Sequence, residues 1–170
     1  MGENYLDHVV INVKDDMDLA QLVFSNLGFT LTPRGYHTLG SINHLMMFGS
    51  DYMELIGFPE HGVANNPNAR PDLTTAPFGI NGLVFKSSDV DKTFEKLVEL
   101  EMDGDPPKSF SRPVELDGRK TDAKFRTVTV RAGVFPEGRV YFCDHGTPEL
   151  VWRPEWQIHR NGIEAVSEIV

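Results

Sequence analysis

The chain has 170 residues, 40% of them hydrophobic and 24% charged, a composition that makes a folded domain and excludes a disordered chain. No apolar run approaches the roughly 20 residues needed to cross a bilayer, and MGENYLDHVV lacks the basic flank of a secretory signal. Sixteen Lys and Arg against 25 Asp and Glu leave a net charge of −9, which sets nucleic acid aside as a partner and tolerates a small cationic ligand. A single cysteine, Cys143, excludes internal disulfides and cysteine-rich zinc modules, and it agrees with a reducing, cytoplasmic setting.

Residues 6–13, LDHVVINV, are β-branched and apolar and predict a buried strand. Lys14-Asp15-Asp16 supplies a turn and an acidic cap. Ala20, Val23, Phe24 and Leu27 then follow at i, i+3, i+4 and i+7, one apolar helical face, which Gly28 stops. Strands are expected at FTLTP (29–33), INHLMMFG (42–49) and YMELIGF (52–58), which makes a first β-α-β-β-β unit. Residues 59–78 carry four prolines and no periodicity and read as a long surface loop, either a linker or a lid.

The pattern then restarts. GINGLVFKS (79–87) is a second buried strand, and Ser88 and Asp89 cap a helix whose apolar face is Val90, Phe94, Leu97 and Val98. Gly104 and Pro106-Pro107 end that helix. Strands follow at 111–116, 124–132 and 139–143. An offset of 74 residues lays Val10 on Val84, and Ala20, Val23 and Phe24 on Phe94, Leu97 and Val98. The endings YMELIGFP and TPELVWRP also match, with Glu54 opposite Glu149. An internal repeat is the chief message of this sequence.

Two tandem units, each with a Glu-Leu in its last strand and the first with a strand histidine, resemble the vicinal oxygen chelate superfamily. LDHVVINV, GFTLTPRGYHTLGSINHLMMFG and YFCDHGTPELVWRPEWQIHRNG are similar to its glyoxalase-like group. The resemblance implies an α+β fold of two βαβββ modules curved around a cup. Module one is 4–58, a linker 59–78, module two 79–154, and a C-terminal extension 155–170. It also implies metal ligands from the first and last strands of each module, which fall on His8, Glu54, Gly82 and Glu149. Gly82 has no side chain, so three ligands remain, His8, Glu54 and Glu149; either His145 or His44 is a candidate for the vacancy. Imidazole and carboxylate donors suit Zn, Ni, Fe or Mn with positions left open for substrate oxygens.

Each candidate has a bland reading too. A lone strand histidine is usually structural, and Glu54 or Glu149 could lie on a wetted sheet face rather than a buried one. His37 and Asn43, flanking the turn in YHTLGSIN, and His145, before Gly146, read as turn residues that the resemblance raises to ligand-binding contacts. Trp152 and Trp156 read as packing aromatics and Cys143 as a buried strand residue. Neither a G-x-S-x-G motif nor a phosphate-binding glycine loop is present.

The expectation is therefore a divalent-metal-dependent lyase, isomerase or dioxygenase acting on a small oxygenated compound, with Glu54 or Glu149 moving a proton and His8 anchoring the metal. The rival is a metal-free, ligand-sequestering protein of the bleomycin-resistance type, which the −9 charge and Gly82 would fit if the ligand were cationic or aromatic. The apolar ending GIEAVSEIV predicts helical or strand pairing with another subunit, as in a homodimer, or continuation of a longer protein.

Overall fold

The computed structural model describes residues 5–59, 70–116 and 118–170. Much of the expected 59–78 loop thus lies outside the described residues. Among them eight strands run in chain order: β1 Leu6–Lys14, β2 Gly35–Tyr36, β3 Ile42–Met47, β4 Tyr52–Gly57, β5 Gly79–Lys86, β6 Lys108–Leu116, β7 Arg119–Thr129 and β8 Arg139–His145. Among the described residues three α-helices accompany them, α1 Met17–Asn26, the short α2 Pro71–Thr74, and α3 Val90–Glu99. No helix among the described residues is long and apolar enough to cross a membrane.

The strands form one mixed sheet in the order β2-β3-β4-β1-β5-β8-β7-β6. Its two halves mirror each other. β1 pairs parallel with β4, β5 pairs parallel with β8, and β1 joins β5 antiparallel at the centre. The far edges approach as well, where the Thr38 amide donates to the Ser111 carbonyl at 3.1 Å, so the sheet nearly closes into a cup.

Strand alternation divides the core into layers. Val10, Leu45, Tyr52, Ile56, Val84 and Phe125 pack on the concave side, while Val13, Met46 and Leu55 pack on the convex side under α1. Val128 packs under α3 with Val90 and Leu97. Both long helices end in paired reverse bonds. The Phe29 and Met102 amides reach back to the Phe24 and Leu97 carbonyls through a left-handed Gly28 and a left-handed Glu101. α3 thus stops before Gly104.

Some expectations shift. The strand at 29–33 is absent. Pro33 lacks a donor, and the Thr32 hydroxyl takes the Leu45 amide at 2.9 Å, so the segment touches β3 only locally. The buried face of α1 is Met17, Ala20 and Phe24, whereas Val23 and Leu27 are exposed, as is Val98 on α3. The helix is apolar nearly all round, and its periodicity admits two faces. The match of TPELVWRP to a strand fails too: Pro148–Leu150 and Pro154–Trp156 are single 3₁₀ turns. The helix or strand expected in GIEAVSEIV is not formed, since residues 163–170 are neither.

Candidate active site

The cup encloses a cavity of about 990 Å³ whose floor is built by β1, β3, β4 and β8. His8 and Glu54 share that floor because residues 8 and 10 of β1, and 52, 54 and 56 of β4, all point to the concave face. The His8 Nε2 lies 3.5 Å from Glu54 Oε2 and 3.3 Å from the Tyr141 hydroxyl, and its ring stacks on Tyr52 at 4.4 Å. The other ring nitrogen donates to Asp7 Oδ1 at 2.6 Å, and His145 Nε2 donates to the same oxygen at 3.0 Å. Asn43 donates its amide to Glu54 Oε1 at 2.7 Å and approaches His37 Nε2 at 3.3 Å. His37 completes the row through its Nδ1 contact with Ser41 Oγ at 2.9 Å.

The charges on this floor are tightly coupled. Burial alone would push the His8 imidazole down, but the hydrogen bonds to Asp7 and Glu54 overcome it and carry the pKa up to about 9. Burial would likewise raise Glu54, and the His8 contact brings it down to about 2. Asp7 is held well below the ordinary carboxylate range against the same desolvation by its bonds to His145 and His8. His37, with no carboxylate hydrogen-bonded to it, is pulled down to about 4 by burial. Burial also keeps the Tyr141 phenol protonated far above its usual range.

The strand registers identify the equivalent positions in module two. Val10 faces Gly82 and His8 faces Val84, so the 74-residue offset interchanges β1 and β5 and lays His8 on Gly82. His8 pairs with Tyr52 as Gly82 pairs with Arg139, which lays Glu54 on Tyr141. The expected partner of Glu54, Glu149, is instead on an exposed 3₁₀ turn at a second cavity of about 520 Å³ behind Asp7. Its Glu-Leu resembles that of β4 by sequence only. His44 does not fill the Gly82 vacancy either; it faces the convex side, donating to the Thr32 carbonyl at 2.7 Å and accepting from Arg34. His145 stands one residue layer back, joined to His8 through the shared Asp7 oxygen and through the Tyr52 ring between them.

The structure therefore gathers His8, Glu54, His37 and Asn43, leaves Glu149 apart, and adds Asp7, Tyr141 and Arg112, which the sequence reading passed over. Tyr141 was reachable from the β4 and β8 registers but not from any Glu-Leu motif. A second donor group lies behind the floor, where Asp7, Cys143 and His145 bring ligand atoms within 4.8 Å of one another, a cluster able to hold a metal ion. Trp152 packs on His145 and Tyr52 and closes that side, as expected of a packing aromatic. Cys143 is buried in β8, its thiol raised by desolvation.

Comparison with solved structures agrees with the fold. A hypothetical protein from Staphylococcus aureus superposes with a TM-score of 0.67 at 16% identity, over 85% of this chain and 60% of its own, so this chain spans under two thirds of that protein. A methylmalonyl-CoA epimerase in complex with methylmalonyl-CoA and NH4+ gives a TM-score of 0.57 at 14% identity, over 82% of this chain and 93% of its own. The methylmalonyl-CoA epimerase from Mycobacterium tuberculosis gives 0.54 at 16% identity, over 82% and 86%. No curated protein matches. A family model described as a glyoxalase-like domain matches residues 6–170. With that match spanning nearly every residue, and with the paired modules and cup already in place, the chain belongs to the glyoxalase-like family of the vicinal oxygen chelate superfamily.

Proposed function

We propose that this protein is a metal-supported enzyme of the lyase or isomerase kind that acts on a small oxygenated organic compound in the cup. The observation that carries the reading is the His8–Glu54 pair on the cavity floor. Two donors bonded to one ion at about 2.1 Å each lie roughly 3 to 3.5 Å apart, and the 3.5 Å between His8 Nε2 and Glu54 Oε2 fits that span. Asp7 holds the other nitrogen of His8, the support that a metal-binding imidazole ordinarily has. The donor set thus suits a divalent ion with Zn, Ni, Fe or Mn character. When bound, such an ion would polarise neighbouring substrate oxygens and offset negative charge developing on them.

The chain's own residues do the rest. Asn43 fixes one Glu54 oxygen, so the carboxylate is aimed at whatever occupies the floor. Glu54 is the group placed to move a proton between adjacent carbons, which favours lyase or isomerase chemistry over the dioxygenase class. Tyr141 offers a hydroxyl that can donate to a substrate oxygen, and His37 stays neutral at pH 7 behind Asn43. Similarity to proteins described as methylmalonyl-CoA epimerases supports a proton-moving reaction by analogy only.

One observation favours the rival, a metal-free sequestering protein: the positions equivalent to His8 and Glu54 are Gly82 and Tyr141, so the floor has two strong donors where four were expected. Metal analysis and calorimetric titration with Zn, Ni and Mn separate the readings. About one ion per chain is expected, lost in His8→Ala and Glu54→Gln and kept in Cys143→Ser. The opposite pattern would move the ion to Asp7, Cys143 and His145. No bound ion in any form would overturn the metal-supported reading in favour of the binder.

A further inference from the structure

We propose that Arg112 anchors a carboxylate group of the ligand, so that the cup selects small carboxylate-bearing compounds. The inference deepens the functional reading and rests on its treatment of the cup as the substrate site. Arg112 lines the cavity from β6 and is only 2% exposed. Its Nη1 makes a long contact, 3.4 Å, with Asn43 Oδ1, while its Nε and Nη2 are buried and meet no hydrogen-bond partner.

Of the other cations of the cup, Arg131 donates to the Glu101 carbonyl, and Arg139, although its Nε and Nη2 also meet no partner, differs from Arg112 in having a carboxylate beside it. Arg70 and Arg139 both pair with Asp72, and Lys108 pairs with Asp105. No ion pair to Arg112 occurs among the described residues. A guanidinium cannot shed its proton to escape this situation, and leaving it buried without an anion is expensive. Its placement is nonetheless built into the fold. A Cβ on Gly35 would come within 2.4 Å of Arg112 Cδ and 2.3 Å of Asn43 Oδ1, so only glycine there lets the arginine cross the seam between β2 and β6.

The unmatched atoms define the ligand chemistry. Nε and Nη2 form one edge of the guanidinium, the fork that a carboxylate fits with two parallel hydrogen bonds; both atoms are closed to solvent, so the side chain has to turn that edge towards the ligand as it binds. The cup is lined by five Arg and Lys against four Asp and Glu, opposite in sign to the −9 of the whole chain. The cavity therefore reverses the expectation of a cationic ligand. Asn43 bridges Arg112 to Glu54, so the anion lies close to a carboxylate, where a singly charged group is repelled less than a phosphate dianion. This geometry sets the ligand's carboxylate one amide away from Glu54, with its neighbouring carbons over the His8–Glu54 floor.

Thermal shift and calorimetry on the chelator-treated 170-residue chain test the idea, with pyruvate, malonate and succinate as probes beside their methyl esters and inorganic phosphate. At least one carboxylate should raise the melting temperature by a few degrees, and its ester should not. Arg112→Met should abolish the response while melting no lower than wild type, Arg112→Lys should weaken it about tenfold or more, and His8→Ala should keep it. If Arg112→Met does not fold, the lysine variant decides. Wild type indifferent to all three carboxylates, a response to phosphate alone, or variants of Arg112 that respond like wild type would overturn the proposal. Because metal is removed, a failed metal reading leaves this outcome untouched, and loss of carboxylate binding in His8→Ala but not in the Arg112 variants would assign the anion to His8 instead.

Discussion

His8, Asp7 and Glu54 carry opposite charges inside a nearly dry floor, and their mutual compensation sets how the metal-free fold responds to pH. Glu54 has a folded pKa of about 2 against an ordinary 4.5, so its contribution is complete above about 4.5 and is lost as pH falls through 2. His8 has a folded pKa of about 9 against 6.5, so its contribution is complete below about 6.5 and is lost as pH rises through 9. Those two groups alone would leave stability flat between pH 4.5 and 6.5, but His37, at about 4 in the fold against an ordinary 6.5, makes it fall as pH drops below 6.5, so the metal-free protein should be most stable near pH 6.5 and decline on both sides. Urea melts from pH 4 to 10 check this, and His8→Gln should flatten the alkaline decline. A wild-type midpoint that stays constant up to pH 10 would show that His8 does not hold its proton in the fold. The same coupling explains why His37, a few ångströms away, behaves oppositely: it meets a serine and an amide rather than a carboxylate, and desolvation wins.

At the scale of strands and helices, Gly82 is the instructive position. A side chain there would set its Cβ 3.0 Å from Val10 Cβ and 3.1 Å from Val10 Cγ2, and Val10 is wholly buried at the centre of the sheet. The vacancy in the expected ligand set is thus enforced by the β1–β5 pairing. Gly82→Ala should cost about 1 to 3 kcal/mol in urea denaturation through overpacking, and Gly82→His should lose more stability without gaining metal affinity. A Gly82→His variant as stable as wild type with tighter metal binding would contradict this. The elements themselves were largely legible, because β1, β3, β4 and β5 are mostly apolar and β-branched between isolated polar residues and α3 has an Asp89 cap that accepts the Lys92 amide at 3.1 Å. What the sequence concealed were matters of register and side. The 74-residue offset found the His8 position in β5, but β8 follows β4 at 87 residues, so the Glu-Leu likeness at Glu149 pointed past Tyr141. Arg112 escaped notice because one arginine in a strand reads as solvated until the closing sheet buries it.

At the scale of the whole molecule, the segment after module two returns to module one and ties the halves together. His159 is buried among Phe29 and Phe48, accepts the Thr30 amide on Nδ1 at 2.9 Å, and through Nε2 donates to the Met47 carbonyl at 2.8 Å. Thr30 Oγ1 donates to the Ile158 carbonyl at 2.6 Å, Asn161 caps the end of α1 at the Leu27 carbonyl, and the Val166 amide reaches Asp51 at 3.0 Å. All of these bonds are made within one chain. Residue 159 is the keystone of the tie, since its two ring nitrogens serve two backbone groups of different segments. His159→Ala leaves the Thr30 amide and the Met47 carbonyl without their partners and opens space beside two phenyl rings, so it should cost about 2 to 5 kcal/mol. His159→Phe restores the volume but not the bonds, and should recover only part of the loss. The decisive measurement pairs urea melts with light scattering. If the tie acts within one chain, the midpoint falls in His159→Ala by the same amount at low and high protein concentration, and the molar mass is unchanged. A loss that grows on dilution, together with a halved molar mass, would show that the segment works between subunits instead.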